Sequence, residues 1–178
     1  MILTLADAQK IDPKITQSDL DAFETTIREL TNNKFQKVNV RGRDLALTGK
    51  TITMIEGSSI GMRVGDTIEI SDSTYNDGLY TISAMTISMI TVTADLEFID
   101  EIARDGIVTL IHYPADIVKG VKDLIDYGVH MGDKTGIKSE TISRMSVTYY
   151  DVSATDNAEG YPSAKLDFVR KYVKMRWA

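Results

Sequence analysis

The sequence predicts an α+β fold, a small helical bundle of about four helices with a long extended arm, interrupted by an inserted antiparallel β-barrel-like domain. Three observations predict it. Apolar residues recur at helical spacing before residue 35 and after residue 113, and two apart between them. Glycine- and asparagine-centred turns punctuate the middle at short intervals. Proline marks the return to helix at Tyr113-Pro114. The domain boundaries that follow are 1–35 plus 113–178 for the helical part and 36–112 for the β part, since insertions are best tolerated at surface loops.

Each element has its own signal. Thr4-Leu5-Ala6-Asp7 has the spacing of a helix cap, and Asp12-Pro13 ends the short helix it opens. Ser18-Asp19-Leu20-Asp21 reads as a second cap, behind which Leu20, Phe23, Ile27 and Leu30 form one stripe of a helix ending near Asn32-Asn33. From Phe35 the period becomes two. Val38 and Val40, Leu45 and Leu47, Ile52 and Met54, Ile68 and Ile70, Tyr80 and Ile82, Ile90 and Val92, and Val108 and Leu110 are the paired positions. Turns are expected at Arg41-Gly42, Gly49-Lys50, Gly57-Ser58-Ser59, Gly65-Asp66 and Asn76-Asp77-Gly78, and Phe98–Ile102 reads as a helical turn or wide loop on the rim. Many short strands suit a sheet that closes and leaves few edges. Ile117, Val121, Leu124, Ile125 and Gly128 stripe the next helix. A last helix from about Ser163 would turn Leu166, Val169 (with Phe168), Tyr172 and Val173 inward.

Composition bounds the chemistry. No cysteine is present, which excludes disulfides and thiolate metal sites. No apolar run is long enough to span a bilayer, and MILTLADAQK lacks the features of a secretory leader, so a soluble protein made in a cytoplasm is expected. The net charge of −6 disfavours a free-standing nucleic-acid binder. Residues 36–112 hold six Lys/Arg against eleven Asp/Glu and supply −5 of it, whereas the last helix carries Lys165, Arg170, Lys171, Lys174 and Arg176 against Asp167.

Catalytic and metal motifs fail on inspection. Asp133-Lys134-Thr135-Gly136 matches the phosphorylation motif of ion-pumping ATPases, but Ile137 stands where threonine belongs, and a helix precedes it. The same helix and the intervening Asp133 exclude a phosphate-binding loop. Asp72, Thr74, Asn76 and Gly78 miss the calcium-loop pattern, with glycine one place late and Ser83 in the position of the bidentate glutamate. His112 and His130 lack metal-ligand spacing, and Asp95, Glu97, Asp100, Glu101 and Asp105 read as a solvated acidic loop. The expectation is therefore no catalytic residue, no metal and no cofactor.

The arm is the most informative stretch. Gly132 to Tyr150 runs from a helix end into an alternating segment, with Met145, Val147 and Tyr149 on one face. The ordered set Gly136, Ser139, Glu140, Ile142, Ser146, Val147, Thr148 and Tyr149, within GIKSETISRMSVTYYD, is followed by GYP and a helix finishing in KYVKMRW. This pattern resembles the head–tail connector (adaptor) proteins of long-tailed double-stranded DNA phages. The match covers the last third of the chain well and the first 35 residues loosely, while the middle departs from it and reads as an insertion.

The resemblance implies a non-enzymatic virion protein at the head–tail junction, assembled in the host cytoplasm. It implies a homo-oligomeric ring, usually a dodecamer, beneath the portal protein. Such a ring extends the DNA channel without sequence-specific binding and offers a docking surface to a downstream neck or tail-completion protein. Subunit-interface candidates are Ile137, Ser139, Glu140, Ile142, Met145, Val147 and Tyr149. Portal-docking candidates are Arg170, Lys171, Lys174, Arg176 and Trp177, because Trp, Tyr and Arg dominate interface energetics. The alternative is a phage tail, baseplate or tail-completion binding module whose β domain recognises a partner.

Overall fold

A computed structural model describes residues 1–94, 97–131, 139–142, 145–148, 157–158 and 161–175. The chain divides into two compact units, one of 34–112 with Met1, the other of 2–33 and 113–178.

The first unit is a closed six-stranded antiparallel barrel of order β1-β2-β5-β4-β3-β6. Its strands are β1 (Gln36–Gly49), β2 (Thr51–Gly57), β3 (Thr67–Ser71), β4 (Gly78–Met85), β5 (Met89–Thr93) and β6 (Phe98–Ile111). Alternation puts Leu45, Leu47, Ile52, Ile68, Ile90 and Val108 inside with no exposed surface. A small barrel needs strongly coiled long strands, and β1 obtains that coiling from register shifts between Gln36 and Arg41, Arg43 and Leu45, and Leu47 and Gly49. Arg41-Gly42, expected as a turn, lies inside β1. Gly42 is required there because a Cβ would stand 2.3 Å from Met54 Sδ on the neighbouring strand. The Gly49-Lys50 hairpin forms as expected, with Gly49 at φ +60° between paired Thr48 and Thr51.

Asn76 gives the β3–β4 loop a purpose that its turn chemistry did not disclose. It is buried, donates from Nδ2 to the Ile99 carbonyl (2.9 Å) and Glu101 Oε1 (2.8 Å), and accepts at Oδ1 from the Ile99 N–H (2.9 Å). The loop is thereby tied to the start of β6, and Phe98–Ile102 is strand because its backbone is paired in this way and along β1. Glu101 also accepts from the Thr74 N–H (3.1 Å). Burial raises its pKa, but the hydrogen bonds from Asn76, Thr74 and Ser73 outweigh this and hold it below the usual glutamate value.

In the second unit α1 (Leu5–Ala8) is capped by Thr4, and α2 (Gln17–Thr31) by Thr16. The α2 cap lies two residues before the expected Ser18, because Asp19 is the third helical residue and completes a capping box with Thr16. The helix ends at Asn32 in the left-handed conformation, φ +46°. The long α3 (Ala115–Met131) follows Pro114 and buries Ile117, Gly120, Val121, Leu124 and Ile125.

A helical bundle interrupted by a barrel is not the architecture found. Among the described residues strand exceeds helix, and the closed barrel is the main element. Two physical causes stand out. The expected extended arm pairs with itself, β7 (Ser139–Ile142) running antiparallel to β8 (Met145–Thr148), so local hairpin closure uses the backbone groups of an arm. The last helix is a 3₁₀ helix, Ser163–Tyr172, whose period of three brings the buried Leu166 and Val169 onto one line. Val173, expected inward, follows that helix and is exposed. Asn157–Ala158 (β9) and Tyr161–Pro162 (β10) form a further short ladder.

The barrel core, from Leu45 to Leu110, is drawn entirely from the first unit. A fragment of residues 34–112 is therefore expected to unfold cooperatively in urea, and a non-cooperative transition would show that its core is completed elsewhere. Within the full chain, Asn76→Ala should cost about 1–3 kcal/mol in the same titration, because Ile99 N–H and Glu101 lose their partner together.

Candidate interaction surfaces

Two stretches carry the sequence-derived candidates. The first is the β7–β8 hairpin, where the register sets Ser139 opposite Thr148, Glu140 opposite Val147, and Ile142 opposite Met145. Five of the seven interface candidates, Ser139, Glu140, Ile142, Met145 and Val147, thus fall within one small ladder. Ile137 and Tyr149 lie outside the described residues. Among the described residues neither strand pairs with a third.

The second stretch is the C-terminal 3₁₀ helix, built onto α3 and α2. Gly120 makes room for the Phe168 ring, which would stand 2.5 Å from a Cβ at that position. Asp116 on α3 accepts at Oδ1 from the Tyr172 hydroxyl (2.6 Å) and pairs through Oδ2 with the Lys171 ammonium. The tail beyond is tied to the end of α2, with Lys174 N–H donating to the Thr31 carbonyl (2.8 Å) and Asn32 Nδ2 donating to the Lys174 and Met175 carbonyls. The Lys174 N–H thereby satisfies a carbonyl at the open end of α2, and the Asn32 side chain in turn satisfies two carbonyls of the tail.

This geometry sorts the docking candidates. Lys171 is held by Asp116, and Arg170 pairs with Asp167 at 3.1 Å one turn earlier. The Lys174 residue is exposed while its backbone is fixed. Arg176 and Trp177 lie outside the described residues.

Some polar residues escaped the sequence reading. Glu24 is buried on the same stripe as Leu20, Ile27 and Thr31, and accepts a hydrogen bond from the Tyr113 hydroxyl (2.8 Å). Burial, and then the Glu24 charge, push the Tyr113 phenol well above its ordinary range. The spacing from Leu20 to Glu24 to Ile27 was the available signal, a carboxylate at a core position that demands a donor. An apolar hollow of ≈ 250 Å³ lies between Phe23, Ile27, Leu124, Tyr161 and Leu166. Its one acid, Asp19, is committed to the α2 cap, where the Thr16 hydroxyl and then the Thr16 backbone hold its carboxyl below the usual value.

The histidines are separately accounted for. His112 donates its backbone N–H to the Phe35 carbonyl, and His130 Nδ1 lies 2.8 Å from the Asp126 carbonyl. Among the described residues no group of three His, Asp or Glu side chains is placed to hold a metal ion, and no helix is long and apolar enough to cross a membrane.

The Asp116 contacts make a prediction about acid. The Lys171 ammonium, and next the Tyr172 hydroxyl, hold the Asp116 carboxyl at about 2, against an ordinary 3.8. A lowered folded-state pKa stabilises the fold fully above the unfolded value, and the contribution is lost as pH falls through the folded value. Asp116→Asn is therefore expected to melt below the natural chain at neutral pH, with the difference closing between about pH 4 and pH 2. A gap that stays constant in melting scans over that range would assign the effect to packing.

A comparison with protein-family models matches none of them, and a comparison with the curated proteins finds no match.

Proposed function

We propose that the chain is a structural subunit of a phage head–tail junction, a connector that assembles as a ring beneath the portal and passes the genome through its centre. One observation carries this reading: the ordered set from Gly136 to Tyr149, with its GYP and aromatic-basic finish. The β7–β8 ladder supports it, because a two-stranded hairpin suits a contact element between subunits that adds its strands to a neighbour. Charge supports it as well. A DNA channel must not hold phosphates tightly, and an acidic subunit of net charge −6 avoids the counterion-release affinity that lysines and arginines would add.

In this reading the hairpin joins subunit to subunit, and the C-terminal end with Lys174, Arg176 and Trp177 meets the portal. Arg170 and Lys171, paired with Asp167 and Asp116, stay largely exposed and can join that contact.

The test is assembly. Native mass spectrometry and electron microscopy of the full chain, alone and with portal-bearing heads, are expected to show a closed ring. Val147→Asp should prevent ring closure with little change in the subunit's melting temperature, because it would bury an unpaired carboxylate at every copy of the contact. An equal loss of subunit stability would place Val147 in the subunit's own core. A natural chain that never forms a ring, even on portal-bearing heads, would end the connector reading.

A further inference from the structure

The outer face of the barrel carries a mainly apolar row, broken by one threonine, that the fold itself does not use. Ile102 on β6 pairs with Ala46 on β1, Ala46 with Thr53 on β2, and Thr53 with Met89 on β5, so the four lie on one line across four neighbouring strands. Their sequence neighbours Leu45, Leu47, Ile52, Met54 and Ile90 point inward and are buried, which turns the row outward. The Met54 N–H donates to the Ser88 carbonyl, extending the β2–β5 register and setting Ile55 level with Ile87. Ile102, Ile55 and Ile87 are 68%, 58% and 71% exposed. Single exposed apolar residues are ordinary, but a contiguous patch signals an interaction.

Beside the row is a hollow of ≈ 360 Å³ lined by Arg43, Asp44, Glu56, Arg104, Asp105 and Ile107. Asp44 sits at a bulge in β1 with φ +52°, and its Oδ1 is sealed from solvent without a hydrogen-bond donor among the described residues. The guanidinium groups of Arg43 and Arg104 make no hydrogen bond or ion pair with any described residue. Acceptor and donors thus share one hollow and do not satisfy one another. An acceptor lacking a donor costs stability, and a guanidinium is the side chain best shaped to approach a carboxylate.

We propose that this face is a contact surface for a second copy of this chain. The hollow offers both signs, so two copies can exchange what each lacks, an arginine of one meeting Asp44 of the other, while the apolar rows bury each other. Other occupants fit less well. Two arginines against three carboxylates give no attraction for nucleic acid or for an anionic bilayer, and a hollow lined by five charged side chains and one apolar one lacks the apolar walls of a small-molecule site. The inference does not rest on the connector reading, since it uses only barrel residues.

Sedimentation velocity of the full chain over a wide concentration series tests it. The natural chain should self-associate. Ile87→Asp with Ile102→Asp, and separately Arg43→Glu with Arg104→Glu, should each raise the apparent dissociation constant at least tenfold or so, with circular dichroism and melting unchanged. Should the aspartates disturb folding, Ile87→Thr with Ile102→Thr keeps strand propensity and should still weaken association. Val147→Asp should retain this contact even where it loses a closed ring. A natural chain that stays monomeric at every concentration would overturn the proposal, as would variants that associate normally. So would binding of duplex DNA or of anionic vesicles by a monomeric chain, lost on the same substitutions.

Discussion

The barrel closes because β1 and β6, each of 14 residues, pair with one another as well as with a shorter strand on their other side. That single pairing decides what the other residues must be. A closed sheet has an inside and an outside and no edge, so side chains alternate between the two along the strands except at bulges, and Leu45, Leu47, Ile52 and Ile90 are driven to complete burial. It also forces long strands to coil tightly. The register shifts in β1 provide the coil, Gly42 yields the space that Met54 occupies, and the bulge between Arg43 and Leu45 turns Asp44 into a strained conformation. The outward apolar row and its charged hollow follow from the same geometry, since closure fixes which side chains face out together.

Buried polar groups then specify which loops and helices go where. Asn76 has its amide oxygen and nitrogen both committed to Ile99 and Glu101, so the β3–β4 loop has one position over β6. Glu24 plays the same part between α2 and Tyr113. Glu69, buried in β3, accepts from Gln36 Nε2 at 2.8 Å and approaches Lys34 Nζ at 3.5 Å, which anchors the start of β1. Hydrophobic burial alone would accept many registers. Each of these groups loses its full solvation on burial and recovers it in one arrangement only, which is how a polar contact of modest net energy selects a structure.

The strands were legible because alternation is a strong local signal, and Ile52 with Met54 or Ile90 with Val92 leave no other reading. The Gly49-Lys50 hairpin was legible for the same reason. What failed was non-local. Gly42 has turn chemistry, but its glycine is needed for a neighbouring strand, and nothing in the residues around it names Met54. Phe98–Ile102 has the polarity of a loop and is strand because β1 and Asn76 satisfy its backbone. The alternation of Met145, Val147 and Tyr149 predicts an extended arm, and nothing local to it names Ser139–Ile142 as the partner strand. Of the docking candidates, Arg170 pairs with Asp167 within one turn, a spacing the sequence shows, whereas the Lys171 partner Asp116 lies on another element and no local spacing reveals it.

Closure also divides the ways in which this chain can associate. A barrel without edges cannot recruit a strand, so its outside can bind only through side chains, where an apolar row needs matching shape and Asp44 needs a donor. The β7–β8 ladder is the opposite case. Among the described residues its two strands pair only with each other, so the outer side of each can offer backbone donors and acceptors, and backbone pairing asks little of side-chain identity beyond alternation. Ordinary proteins suppress such an edge with charge or proline. Here the strands read Ser-Glu-Thr-Ile and Met-Ser-Val-Thr, with one charge between them and no proline. In the proposed ring, a ladder of that composition suits directed strand pairing between copies. The two proposed contacts therefore differ in their chemistry: salt and charge reversal would act on the barrel face, while a change to the ladder itself would disturb the hairpin contact.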